Sequence, residues 1–146
     1  MKIFSLFFIL ISSSIFAQTS EETLIKTSIN SLFDGMKTSD STKITKAFSK
    51  NAVLQTITKN GEVKTENIKD FAASISKAAK ESLDERISFS NILIDGNLAS
   101  VWTPYGFYYQ GKFSHCGVNS FQLVKANNEW KIQYIIDTRR KDNCKK

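Results

Sequence analysis

From Leu24 the apolar residues return every third or fourth position, at Leu24, Ile25, Ile29, Leu32, Phe33 and Met36. That is a helical period. Thr19 and Glu22 have the spacing of a capping box, so the pattern predicts an amphipathic helix from about Ser20 to Lys37. A short second helix after "TSDS" carries Ile44, Ala47 and Phe48 inward. "AVLQTITKNGEVKT" reads as two short strands joined at Asn60-Gly61, a strong hairpin signal. A third helix, about Glu66 to Ala79, buries Ile68, Phe71, Ala72 and Ile75. Beyond it the period changes to two. Strands are expected at about Glu85 to Ile94, Asn97 to Tyr109, Lys112 to Lys125 and Asn128 to Arg139, turning at Asp95-Gly96, Gln110-Gly111 and near Ala126-Asn127. They predict an antiparallel meander, and with the helices an α+β fold.

Short turns fix which residues face each other, and side chains alternate between faces. The first turn sets Leu93 opposite Leu98 and Phe89 opposite Trp102. The second sets Trp102 opposite Asn119 and Gly106 opposite His115. The third sets Leu123 opposite Trp130 and Asn119 opposite Tyr134. All three agree on one face holding Phe89, Asn91, Trp102, His115, Gly117, Asn119 and Tyr134, which the helices should cover. Leu93, Leu98, Leu123 and Trp130 seal one end of it. Asn91, Trp102, His115, Asn119 and Tyr134 lie toward the other, where a curved sheet leaves a pocket. Pro104 has no backbone donor and predicts a bulge in this region.

The N-terminus changes the compartment. Lys2, the apolar run Ile3 to Ile11 and the small-residue step ending at Ala17 follow the grammar of a secretory leader. The run is shorter than the roughly 20 residues of a membrane-spanning helix. Residues 1–17 are therefore expected to be a leader and residues 18–146 a single exported domain, periplasmic or secreted. In that compartment Cys116 and Cys144, the two cysteines present, are expected to pair. Two cysteines and one histidine at these spacings match no zinc pattern. The formal charge of +6 loses one unit with Lys2, and the rest gathers partly in "RRKDNCKK". No surface interleaves bases with stacking aromatics, so nucleic acid is not an expected partner.

Three helices with a hairpin between the second and third, then a long four-stranded meander, resemble the cone-shaped nuclear transport factor 2-like fold over nearly all of the mature chain. "WTPY", "HCGVNSF" and "DTRR" followed by a terminal cysteine resemble the exported bacterial proteins of the SnoaL-like or putative lumazine-binding type. This resemblance implies a pocket over a curved sheet. It leaves chemistry open, since the fold hosts isomerases, cyclases, dehydratases, ligand binders and dimerisation modules. It also implies a homodimer through the convex face, where Ile92, Ile94, Val101, Val118, Val124 and Ile135 are expected to form an apolar patch.

His115 is the titratable residue of the expected pocket, with a general-base role or a structural one open to it. No acidic residue is expected on the pocket face of the sheet, which counts against a ketosteroid-isomerase type of reaction. Asp34 reads as a solvated residue before Gly35. Phe89, Asn91, Trp102, His115, Asn119 and Tyr134 suit a flat ligand, rings stacking on it and an amide orienting it. Asp137, Arg139 and Arg140 fall at the end of the last strand, Cys116 opposite Asp137 on the outer face, with an anion site or surface ion pairs open to the arginines. The leading expectation is a binder of a small molecule with no cofactor. The alternatives are a small isomerase- or dehydratase-like enzyme using His115 as base, and a dimerisation or envelope-interaction module.

Overall fold

The computed structural model describes the backbone of residues 4–144 and the side chains of residues 20–144. The expected leader and its boundary at Ala17 lie outside the described side chains. In chain order the elements are α1 (Phe4–Thr38), α2 (Ser41–Ala47), β1 (Phe48–Ile57), β2 (Val63–Glu66), α3 (Ile68–Ile75), β3 (Leu83–Ile87), β4 (Asn91–Asp95), β5 (Leu98–Tyr109), β6 (Lys112–Ala126) and β7 (Glu129–Arg140). Helix α1 passes through Ser20 without a break, so the helix start expected there is absent. The other helix starts hold real caps, Asp40 accepting from the Lys43 amide and Asn67 from the Lys69 and Asp70 amides.

The sheet runs β2-β1-β7-β6-β5-β3, with β4 also paired to β5. It is mixed: the meander is antiparallel as expected, and β1 joins β7 in parallel. The expected Asn60-Gly61 hairpin is a five-residue loop, residues 58–62, between Ile57 and Val63, with Gly61 in the left-handed region at φ +82°. Helix α1 lays Ile25, Ile29, Leu32, Phe33 and Met36 on the concave face against Val101, Phe121, Leu123, Ile132 and Ile135. Phe33 meets Phe121 edge to face at 6.2 Å.

Three extra residues in the strands overturn the expected faces. A β-bulge opposes two residues to one and so exchanges inside for outside beyond it. Between β3 and β4 the pairing steps from Ile87 opposite Tyr105 to Asn91 opposite Trp102. Ser88 and Ser90 there donate to the carbonyls of Pro104 and Trp102. Pro104 itself pairs regularly with Val118, and the bulge expected at it lies across the ladder, on the edge where its donor is missing. In β6 the extra residue is Ser114, between Phe113 opposite Tyr108 and His115 opposite Phe107. In β7 it is Gln133, between Ile132 opposite Leu123 and Tyr134 opposite Gln122. Gln133 leaves the ladder to accept from Ser49 Oγ at 2.6 Å and to donate to the Asn51 carbonyl at 3.1 Å. Its partners belong to the irregular start of β1.

The concave face therefore carries Ala99, Val101, Thr103, Tyr105 and Phe107 from β5, with Ile135, Asp137 and Arg139 from β7. Ile92, Ile94, Val101 and Ile135, expected on the convex patch, pack in or against the core. Leu93 and Leu98, expected to plug one end, stand 69% and 47% exposed on the outer face. Cys116 faces Arg140 rather than Asp137. The tail turns back over it and closes the Cys116–Cys144 disulfide, Cα atoms 5.7 Å apart.

Candidate functional site

The bulges bring three polar rows together at one end of the concave face. Across the strands run Thr103, Asn119, Asp137 and Thr56; Tyr105, Gly117 and Arg139; and Glu85, Phe107 and His115. Asp137, 8% exposed, is held by several donors. Thr56 Oγ1 donates to its Oδ1, and Arg139 Nε to its Oδ2 at 2.9 Å, while the Tyr105 hydroxyl lies 3.4 Å from Oδ2 and donates to the Thr138 carbonyl at 2.9 Å. Tyr105 reaches β7 by crossing over β6 at Gly117. A Cβ there would stand 1.8 Å from the Thr138 carbonyl oxygen and 2.6 Å from the tyrosine ring. Only glycine leaves that passage open.

Glu85 extends from β3 to the same place. Asn119 Nδ2 donates to its Oε1 at 2.8 Å. Burial raises the Glu85 carboxyl to about 7; the Asn119 bond restrains the rise and the nearby Asp137 charge adds to it. Its remaining surface faces a cavity. Burial also raises the Tyr105 hydroxyl well above the usual tyrosine value, with the Glu85 and Asp137 charges acting in the same sense. It stays a neutral donor.

The space over these groups is a funnel. Its neck, about 60 Å³, lies among Leu32, Phe33, Met36, Phe48, Leu54 and Phe71 on the apolar side and Glu85, Asn119 and Asp137 on the polar side. A cavity of that size holds a few waters. Above it a concavity of about 820 Å³ opens between the β1–β2 hairpin and the C-terminal segment, lined by residues that include Lys59, Lys64, His115, Arg140 and Lys141. Thr56, Glu66 and Arg139 border both parts. The neck is acidic and the mouth basic.

The profile of the family described as putative lumazine-binding matches residues 20–134. The chain belongs to that family. Among solved structures it is similar to a nuclear transport factor 2-like protein of unknown function from Shewanella baltica OS155, with 20% identity, TM-score 0.68, and 84% of this chain and 95% of that one covered. A protein of the same description from Silicibacter pomeroyi DSS-3 has 15% identity and TM-score 0.69, covering 84% and 98%. A domain with a cystatin-like fold from Nostoc punctiforme PCC 73102 has 16% identity and TM-score 0.68, covering 84% and 78%. No curated protein matches the chain. At these identities the structures establish the nuclear transport factor 2-like α+β cone, as expected from the order of elements.

Of the residues expected to bind a ligand, the cone brings two to the funnel. Asn119 is buried in the neck, and His115 lines the mouth. The His115 ring lies 4.9 Å from Phe107 and 5.8 Å from Tyr105, with Nδ1 3.1 Å from Ser114 Oγ. Burial and the Arg139 charge lower its pKa, favouring the neutral ring. Gly106, expected to leave space above that ring, faces Cys116 instead. Phe89 packs against the core under Lys26, whose Nζ is 5.8 Å from the ring. Asn91 and Trp102 pair with each other on the outer face, where Trp102 is 48% exposed. The Tyr134 hydroxyl, also outside, donates to Gln55 Oε1 at 2.7 Å.

Glu85, Asp137, Tyr105, Thr56 and Arg139 are the site residues that the regular register misses, and two carboxylates stand on a face expected to have none. Glu85 had a signal: alternation carried one step back from Ile87 points it inward. Asp137 and Arg139 had none, since their facing depends on Gln133. Among the described residues no group of three or more His, Cys, Asp and Glu is placed to hold a metal ion.

Proposed function

We propose that the protein is an exported binder of a small organic molecule, which rests in the mouth of the funnel and directs one polar group into the neck. The observation that carries this reading is the Glu85–Asn119 pair. It is a hydrogen-bonded carboxylate and amide set below an open concavity, with one carboxylate oxygen turned to the cavity. Such convergent polar groups in an apolar wall orient a ligand. The neck is too small for a bicyclic ring, so a flat ligand lies across His115 and Arg139. The family's description makes lumazine, a bicyclic dione with lactam edges, the first compound to test. Export is supported by the apolar run before Ala17 and by the disulfide, which suits an oxidising compartment. No helix among the described residues is long and apolar enough to cross a membrane. A homodimer is part of the proposal, through an outer face on which Leu93, Leu98 and Trp102 stand exposed.

Native mass spectrometry of protein purified from the exported fraction tests these points together. The expected spectrum is a dimer beginning near Gln18 and carrying one small molecule per chain, with lumazine able to occupy sites left empty. An empty monomer that takes up no lumazine would defeat the binding and assembly readings alike.

Glu85 favours one second reading, proton transfer to or from the bound molecule. A carboxyl that burial makes hold its proton more tightly, set in a cavity beside the bound molecule, is a group that acid–base chemistry uses. This moves the catalytic role expected of His115 to the neck. It requires the molecule that co-purifies with Glu85→Gln to be altered by the unsubstituted protein; recovery of the same compound unchanged would leave binding alone.

A further inference from the structure

The mouth concentrates positive charge. Lys59, Lys64, Arg139, Arg140 and Lys141 stand around it against Glu66 and Asp142, five cationic side chains to two acidic, a local surplus of three. Elsewhere five lysines pair: Lys26 lies by Glu22, Lys37 by Glu81 and Asp84, Lys43 by Asp34, Lys125 by Glu21 and Lys131 by Glu129; Lys46, Lys50, Lys69, Lys77, Lys80 and Lys112 do not among the described residues, but none of them lines this concavity. At the mouth, Arg139 spends Nε on Asp137, while Lys59, Lys64, Arg140 and Lys141 form no ion pair among the described residues. Like charges gathered without partners around a concavity repel one another and cost stability. The same arrangement focuses field into the concavity and attracts an anion.

Two separate devices hold these charges in place. The β1–β2 hairpin brings Lys59 and Lys64 to one side. The disulfide brings Lys141 and Asp142 to the other, because Cys144 is fixed to Cys116, next to His115 on β6. The tail is thus a wall of the mouth. Arg139 joins the two parts of the funnel, since its Nε is bound to the neck carboxylate Asp137 and its remaining guanidinium donors belong to a side chain bordering the mouth.

We infer that the mouth is an oxyanion site, and that the molecule admitted there is a phosphate monoester whose phosphate is held by Lys64, Arg139, Arg140 and Lys141 while its uncharged end covers the neck. A surplus of three charges suits a dianion, and the arginine fork with flanking ammonium groups is phosphate-recognition chemistry. The acidic neck rejects the charged end and so fixes the orientation. This inference rests on the binding reading above and adds the class of ligand.

The test compares 1-naphthyl phosphate with 1-naphthol by isothermal titration calorimetry on the disulfide-bonded protein at low salt. The ester is expected to bind at least about tenfold more tightly, the preference shrinking as salt rises. In Lys64→Glu/Lys141→Glu the preference is expected to fall below about threefold. In Lys77→Glu/Lys80→Glu, which carries the same charge change at residues lining neither part of the funnel, it is expected to persist. Equal affinity for the two compounds would overturn the oxyanion site and leave the binding reading standing. So would a preference that survives at the mouth or is lost equally in the control. If neither aromatic binds, pyrophosphate titration followed by amide NMR separates the claims. Shifts centred on Lys64, Arg140 and Lys141 would support the oxyanion site while sinking the binding of a flat ring. No shift there would sink both.

Discussion

The two ends of the concave face are built from the same strands and differ in how their polar groups are completed. At the closed end Leu123 and Ile132 are fully buried, and Trp130, 4% exposed, donates Nε1 to Glu21 Oε2 at 2.7 Å. Lys125 Nζ reaches the other Glu21 oxygen at 2.7 Å, and that bond and the Trp130 bond hold the Glu21 carboxyl below its ordinary value. These polar groups close against the protein itself. At the open end Asp137 is completed in the same manner, but Glu85 has one bonded oxygen and Thr103 Oγ1, fully buried, has no hydrogen-bond partner among the described residues. Folding saturates the first end and leaves unused hydrogen-bonding capacity in the second. Capacity of that kind in a cavity is where a ligand gains affinity.

The sharpest way to break this contrast is to damage the closed end. Leu123→Ala removes a fully buried side chain from the layer under α1 and is expected to cost about 2 to 5 kcal/mol of unfolding free energy. Binding of 1-naphthyl phosphate to the folded fraction should be unchanged. Chemical denaturation gives the first quantity and calorimetry below the transition the second. A variant that keeps its stability, or loses affinity while folded, would show that the two ends are not separate in function.

Glu85→Gln acts at the open end with a smaller effect that depends on pH. The folded carboxyl titrates near 7, above its ordinary value of 4.5, so the folded state holds the proton more tightly than the unfolded chain. The stability Glu85 contributes is complete below about pH 4.5 and is lost as pH rises through 7. Glutamine keeps an acceptor for Asn119 and cannot ionise. The variant should therefore match the parent at low pH and exceed it above pH 7, by up to about 2 to 3 kcal/mol. Thermal melts across that range check it. Parallel curves would mean that Glu85 ionises freely in the fold, and the contrast between the ends would lose its electrostatic half.

The closed end was legible in its helix residues and in Leu123 and Trp130 but not in Leu93 and Leu98, and the open end hardly at all, for a reason specific to strands. Helix periods placed Ile25, Ile29, Leu32 and Ile44, and the cysteines declared their pairing through compartment and number. In β7, however, Trp130 and Ile132 are followed by apolar residues at both parities, Tyr134 with Ile136 at one and Ile135, two before Asp137, at the other. Hydrophobicity cannot choose between them. What chooses is Gln133, whose amide bonds to a strand 82 residues away in sequence. In β5, Trp102 outweighs Thr103 and Tyr105 as an apolar residue, yet Ser114 turns Trp102 outward. A bulge is selected by partners distant in the chain, so local pattern carries no trace of it. Within "HCGVNSF", His115, Gly117 and Asn119 share the parity of the buried Phe121 and Leu123, so alternation alone carries their facing.

Thr103 gives the smallest and most direct measure of the unused capacity. Its hydroxyl is fully buried on the row that continues through Asn119 to Asp137, and an unpaired buried hydroxyl destabilises a fold by about 1 to 3 kcal/mol. Valine has nearly the same shape without that group. Thr103→Val should therefore stabilise the protein by about 1 kcal/mol in denaturant titration, the opposite of the usual effect of a core substitution. If stability falls instead, the hydroxyl is bonded to a buried water, and the open end is as saturated as the closed one. If stability rises while affinity for the bound molecule falls, the hydroxyl acts on the ligand through Asn119, its neighbour across the strands, since Thr103 itself lines neither part of the funnel.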